Sequence, residues 1–165
     1  MGNETKVLNI LLIEDSDSDA FMIQKAINEH HKTSKCQRVN TFAKGEETIV
    51  KGGIDLVFLD LGLPDTESSW DTCEQMKKWF DKVPVVIMTG LQDHDLARLM
   101  VHDGVADFVS KDAIVQDPSH IKAVIDFAVE RHAVSKKLRE SNRDKEAVLG
   151  YFMGGYSVDN TKNIS

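Results

Sequence analysis

The strongest constraint on this chain is a short segment, Val7 to Ile13 (VLNILLI), that is apolar almost throughout and runs directly into Glu14-Asp15. A strand with one wet face alternates apolar and polar residues. A continuous run of this length, rich in branched side chains, reads as a strand buried on both faces. Ile54 to Leu61 (IDLVFLDL) repeats the pattern, carries Asp60 near its end, and is closed by Gly62 and Pro64. Strands of this kind belong in a parallel sheet with helices packed on each side.

Helix-spaced segments fall between the strands. Asp17 to His31 places Ala20, Ile23, Ile27 and His31 at helical intervals, with Asp17 and Asp19 read as cap residues. Cys36 to Phe42 alternates weakly and reads as a second strand, and Ala43 to Lys51 as a short helix stopped by Gly52-Gly53. Trp70, Cys73, Met76, Lys77 and Phe80 mark one face of a third helix. Val85 to Met88 is a fourth strand, Asp95 to Asp103 a helix with Leu96, Leu99 and Met100 inward, and Ala106 to Val109 a short fifth strand. Asp117-Pro118 opens a last, long helix, since proline's missing N–H is not needed in a first turn. Five βα units follow from this order.

The 165 residues suit one domain with chain to spare: residues 1–132 as the domain and 133–165 as a helical extension and frayed tail. A domain of this size buries about two-thirds of its unfolded surface, so it needs neither disulfide nor metal to hold it. Acidic residues outnumber basic ones, 27 to 20, for a net charge of −7. That balance argues against direct binding of nucleic acid or an anionic membrane. No apolar run is long enough to span a bilayer, and Met1 to Lys6 lacks the pattern of a secretory leader, so a cytoplasmic location is expected. Cys36 and Cys73 have no metal-ligand spacing and read as reduced, buried hydrophobes.

In an open parallel sheet, ligands sit outside the carboxyl ends of the strands. Those ends carry Glu14-Asp15, Asp60, Thr89-Gly90 and Ser110-Lys111. Three carboxylates, a hydroxyl and an ammonium thus converge on one rim. Clustered carboxylates suit Mg²⁺, which takes oxygen ligands and keeps several waters. Lysine and threonine can hold phosphoryl oxygens, because phosphoryl transfer is mostly positioning and electrostatics. A carboxylate can be the nucleophile. Asp60, central between the acidic pair and the Thr89 and Lys111 side, is the expected phospho-acceptor.

The Glu14-Asp15 pair, Asp60 with Pro64 (DLGLP), Thr89-Gly90 and Phe108 before Lys111 (FVSK) follow one another at fixed intervals. From Asp15 to Asp60, Thr89 and Lys111 the successive steps are 45, 29 and 22 residues. In this the chain resembles, from about Val7 to Arg131, the receiver domain of two-component response regulators, of the single-domain chemotaxis type. The resemblance implies a flavodoxin-like, doubly wound, five-stranded parallel sheet in the order 2-1-3-4-5 with an extended C-terminal helix. It implies that Asp60 takes a phosphoryl group from a phosphohistidine on a histidine kinase or phosphotransfer protein. Glu14, Asp15, Asp60 and the Gly62 carbonyl would hold Mg²⁺. Thr89 and Lys111 would contact the phosphate, Gly90 would leave room for it, and Phe108 would change rotamer as Thr89 moves. Read alone, Phe108 has a second, less favoured reading as an edge-strand core residue. The face of the fourth helix, fifth strand and last helix would bind a downstream protein target. Such a domain is not an enzyme toward other substrates, though it assists its own phosphorylation and dephosphorylation.

Departures from the family pattern carry their own expectations. Asp112 stands where many receivers have a cis proline, which bears on the angle of Lys111. The loop from Asp65 to Trp70 lacks the usual glycine. Gly62 and Leu91, two residues after Asp60 and Thr89, offer no group to orient an attacking water.

Rival readings fit less well. A haloacid-dehalogenase-type phosphatase needs a second carboxylate two residues after the nucleophile, and that position is Gly62. A nucleotide site would want a glycine-rich loop where this chain has Glu-Asp-Ser-Asp-Ser-Asp. A degenerate receiver serving only as an interaction module keeps the fold but loses the active residues, and all five are filled here. Beyond the domain, residues 136–146 hold five basic and three acidic side chains, followed by the apolar, aromatic stretch Ala147 to Tyr156. With no output domain after it in this sequence, the extension is expected to be either a solvated overhang or a surface for a partner or a second copy.

Overall fold

The computed structural model describes residues 5–90 and 93–159, the side chains of 154–159 excepted. Its five strands are β1 (Leu8–Ile13), β2 (Ser34–Val39), β3 (Leu56–Asp60), β4 (Val85–Thr89) and β5 (Asp107–Ser110). They form one sheet in the order β2-β1-β3-β4-β5, and every neighbouring pair is parallel. This is the flavodoxin-like doubly wound order. The helices are α1 (Asp17–His30), α2 (Phe42–Lys51), α3 (Ser69–Met76, continued by a 3-10 turn over Lys77–Trp79), α4 (His94–His102), α5 (Lys111–Gln116) and α6 (His120–Asp159).

The central strands divide their side chains between two cores. Ile10, Leu12, Phe58, Val86 and Met88 pack with Ile23 and Ile27 of α1, Ile114 of α5 and Ile121 and Ile125 of α6. Leu11, Ile13, Val57, Leu59 and Ile87 pack with Phe42 and Ile49 of α2, Met76 of α3, Phe80 and Met100 of α4. Burial on both faces is why β1 and β3 read as continuous apolar runs. Each buried Leu, Ile or Phe contributes about 1.5–3 kcal/mol relative to exposure. Where α2 crosses the end of β1, a Cβ on Gly45 would run into the Ile13 side chain. The glycine therefore lets α2 lie against the strand that carries Glu14.

Several expectations needed correcting. β2 ends at Val39 and Phe42 begins α2, because Thr41 caps that helix by accepting the Lys44 N–H. Neither Asp17 nor Asp19 caps α1; the Ser16 hydroxyl does, accepting the Asp19 N–H. Trp70 and Leu99 are half exposed rather than inward. A short helix, α5, stands between β5 and the long helix, capped by the Ser110 hydroxyl and anchored by buried Ile114. The long helix is assigned from His120, two residues after Pro118, although Asp117 does accept the Ser119 N–H. It continues through Gly150, Gly154 and Gly155. A helical glycine costs only about 1 kcal/mol relative to alanine, too little to stop an established helix.

The chain divides into two compact units, Met1–His132 and Ala133–Ser165. The first contains the sheet and both cores. In the second, Val134, Leu138, Val148, Leu149, Tyr151, Phe152 and Met153 are all exposed. Among the described residues, no helix is long and apolar enough to cross a membrane. Residues 160–165 of the expected tail, and Leu91, lie outside the described residues.

Candidate functional site

The sheet register decides what meets at the rim. Asp60 pairs with Met88, one residue short of Thr89, and Thr89 pairs with Ser110, one residue short of Lys111. β1 lies on the other side of β3 and releases Glu14 and Asp15 beside Asp60. Glu14, Asp15 and Asp60 each present an oxygen, and these oxygens all lie within 4.8 Å of one another. Glu14 is fully buried and Asp60 is 8% exposed, whereas Asp15 is exposed.

The Lys111 ammonium faces this cluster. Nζ lies 2.8 Å from Glu14 Oε2, 2.9 Å from Asp60 Oδ1 and 3.0 Å from Asp19 Oδ2. The Lys111–Asp112 peptide is trans, so the missing proline has not moved the lysine out of reach. Burial pushes the Glu14 and Asp60 carboxyls up. The bond from Lys111 pulls each back without cancelling the shift, and the Asp15 charge adds to the rise at Asp60. Burial works against the Lys111 charge, but its carboxylate partners outweigh that and raise its pKa.

The donor set fits a hard, oxygen-seeking cation. Glu14 Oε1 accepts the Ser16 N–H at 3.0 Å, while buried Oε2 is met by the Lys111 ammonium at 2.8 Å. One ammonium does not offset the charge of three clustered carboxylates, two of them buried, and a divalent cation takes oxygen ligands of this kind. The Gly62 N–H supports the Asp60 carboxylate. A Cβ on Gly62 would meet Asp60 Oδ2 at an ordinary 3.7 Å, so packing alone does not demand glycine there.

The remaining candidates occupy distinct settings. Thr89 is buried, and its hydroxyl donates a long bond, 3.5 Å, to the Val109 carbonyl of β5. The Gly90 N–H is directed at Asp93 Oδ2, 3.4 Å away. Phe108 is exposed, so the reading of it as an edge-strand core residue is corrected. The loop lacking a family glycine is organised by Asp65, whose carboxylate accepts the Phe42 and Ala43 N–H groups at the start of α2. Burial opposes that charge, but these bonds outweigh it and hold the Asp65 carboxyl below the usual range. Burial pushes both cysteine thiols up to about 12, consistent with inert packing residues.

Two site residues were missed in the sequence. Asp19 is one, having been read as a cap. Arg38, at the end of β2, is the other: its guanidinium donates to the Glu14 carbonyl at 2.9 Å, the Asp15 carbonyl at 3.0 Å and Asp17 Oδ1 at 2.6 Å. It thereby braces the main chain of the acidic loop. A lone arginine in an amphipathic edge strand gives no sign of this, because the contact depends on β2 lying beside β1.

The family profile described as "Response regulator receiver domain" matches residues 10–126. The chain belongs to the response regulator receiver domain family. This receiver domain is similar in fold to the signal receiver domain of a Luxo repressor protein from Vibrio parahaemolyticus, with 24% identity and a TM-score of 0.65. That match covers 79% of this chain and 96% of the other. A response regulator receiver domain protein from Clostridium thermocellum matches at 24% identity and a TM-score of 0.60, covering 79% and 98%. The signal receiver domain of an HD domain-containing protein from Pseudomonas fluorescens Pf-5 matches at 14% identity and 0.67, covering 83% and 97%. No curated protein sequence matches the receiver domain.

Proposed function

We propose that this receiver domain is a phosphorylation switch with Asp60 as acceptor. The observation that carries the proposal is the meeting of three carboxylates and one ammonium at the carboxyl ends of the strands. In the transfer, an Asp60 carboxylate oxygen forms a new P–O bond. The P–N bond of a phosphohistidine on a histidine kinase or phosphotransfer protein breaks, and the imidazole nitrogen leaves with the bonding pair. Glu14, Asp15, Asp60 and the Gly62 carbonyl would hold Mg²⁺, which neutralises charge on the transferring group when bound. Lys111 supplies an N–H to a phosphoryl oxygen from the position it already holds. Thr89 turns its hydroxyl from Val109 toward the phosphoryl group, and Gly90 leaves space beside it.

That turn vacates room near β5, into which Phe108 moves from its exposed position. Phe108 shares its strand with Asp107, which is tied to α6 through Arg131 at 3.3 Å, and exposed Leu99 of α4 and Phe127 of α6 supply further apolar area. This α4-β5-α6 face is the proposed docking surface for a downstream protein target in the cytoplasm. The meeting of Glu14, Asp15, Asp60 and Lys111 at one rim supports a working switch over a phosphorylation-independent module. The test is incubation with acetyl phosphate. Intact-mass measurement should show one phosphate incorporated with Mg²⁺ and almost none with excess chelator; no incorporation in either case would count against the reading.

Residues 1–132 are proposed to act as the receiver and 133–165 as its helical extension. The exposed run from Val148 to Met153 supports a role in self-association or partner docking. Removing residues 147–165 is expected to leave phosphate uptake unchanged while lowering the mass seen by light scattering or the yield of partner pull-down. Unchanged values in both would make the extension a solvated overhang.

A further inference from the structure

We infer that Asp19 is a positioning residue that gives Lys111 an anionic partner outside the cation ligands, and so sets how readily the acidic cluster accepts a divalent cation. The inference rests on the proposed metal site. It follows from how one ammonium is shared. A lysine carries three N–H donors, and here three carboxylates surround it at 2.8, 2.9 and 3.0 Å. Two of them, Glu14 and Asp60, belong to the cluster that could hold a metal; Asp19 does not.

A divalent cation and the ammonium therefore compete for the same oxygens. The sharpest conflict is at Glu14 Oε2, a buried atom with the ammonium beside it. Asp19 stands apart in the first turn of α1, with its side chain 40% exposed, and still reaches Nζ. It offers the lysine an anionic partner that a cation at the cluster would leave in place. With Asp19 present, Lys111 can yield Glu14 and remain neutralised. Without it, the ion pairs left to the ammonium among the described residues are those with Glu14 and Asp60, which the metal needs.

Asp17 provides an internal control. It lies in the same turn and carries the same charge, but its side chain is 93% exposed and pairs with Arg38 rather than Lys111. A general charge effect would make Asp17→Asn and Asp19→Asn equivalent. A lysine-mediated effect separates them.

The experiment is titration calorimetry with Mg²⁺ alone, on the full chain, with no phosphodonor. Asp19→Asn should weaken Mg²⁺ binding about fivefold, and Asp17→Asn by less than about twofold, since exposed charges are screened. Lys111→Gln should bind Mg²⁺ more tightly than the native protein. In that background, adding Asp19→Asn should change the affinity by less than about twofold, giving the non-additive cycle expected of groups that act through each other. Asp19→Glu, which keeps a carboxylate within reach of the ammonium, should restore most of the lost affinity. Equal effects of Asp17→Asn and Asp19→Asn, or the full Asp19 effect persisting without Lys111, would overturn the inference while leaving the metal site standing. Absence of Mg²⁺ binding by the native protein would overturn the metal site itself, and the inference with it.

Discussion

Asp60→Asn is expected to abolish phosphate incorporation from acetyl phosphate under conditions that fully label the native domain. Asparagine has nearly the shape of aspartate and can still accept the Gly62 N–H through its carbonyl oxygen. What it lacks is the anionic oxygen that attacks phosphorus, so the loss should be complete rather than graded. Glu14 and Asp19 are poor substitutes. Glu14 is fully buried and paired with the ammonium, and Asp19 is outside the cluster. Asp15→Asn should behave differently, slowing labelling through weaker metal binding while leaving the acceptor intact. Mass spectrometry of the intact protein, followed by peptide mapping, reads both outcomes. Labelling of Asp60→Asn at the native level would remove Asp60 from the acceptor role.

The second large effect concerns stability and its dependence on pH and metal. The folded state raises the carboxyl pKa values of Glu14 and Asp60, chiefly by burial. It therefore binds more protons than the unfolded chain at pH values above the ordinary 4.5 and 3.8 of these groups. The sign follows: without divalent cation, stability should fall as pH rises through the window above those values, and level off once both groups are ionised. Lys111 does not alter that trend. Its folded pKa is raised, so its stabilising contribution is present throughout the neutral range and is lost only above its ordinary 10.5. Asp65 and Asp126 act in the opposite sense, since their carboxyls are held low; what they contribute is lost as pH falls below about 3.8. Maximum metal-free stability is therefore expected in mildly acidic solution.

At neutral pH, Mg²⁺ at ten times its dissociation constant should add about 1.4 kcal/mol, because it binds the folded state only. For a domain of this size that corresponds to a rise in melting temperature of about 4–6 °C. Asp60→Asn should raise the metal-free melting temperature at neutral pH by removing one desolvated charge, and should flatten the response to Mg²⁺. Differential scanning calorimetry across pH 5–8, with and without Mg²⁺, measures all of this. A melting temperature indifferent to both pH and Mg²⁺ would show that the cluster carries neither that burial cost nor a metal site.

The central strands and the main rim residues were legible in the sequence because both obey one-dimensional rules. A strand buried on two faces must be apolar along its length, which made β1 and β3 conspicuous. The groups following such strands must then lie at the carboxyl edge, which brought Glu14, Asp15, Asp60, Thr89 and Lys111 into one list. The edge strand β2, half wet and weakly patterned, was placed too late because its residues answer to a cap at Thr41 rather than to a periodicity of their own. The short α5 was overlooked for a similar reason: its start depends on one hydroxyl and its hold on one isoleucine.

Asp19 and Arg38 could be assigned only from the folded chain. Their roles follow from contacts across 92 residues, in Asp19 to Lys111, and 24 residues, in Arg38 to Glu14. Local sequence reports what a residue prefers to do with its neighbours, and an aspartate near a helix start prefers to cap. The sheet order decides instead. Placing β1 between β2 and β3 brings an arginine against the acidic loop. Winding the chain back along the α1 side of the sheet sets α5 against α1 and brings the lysine to its third carboxylate. Residue types and strand ends were written in the sequence, but how the charges are shared among them was settled only when the strands took their places in the sheet.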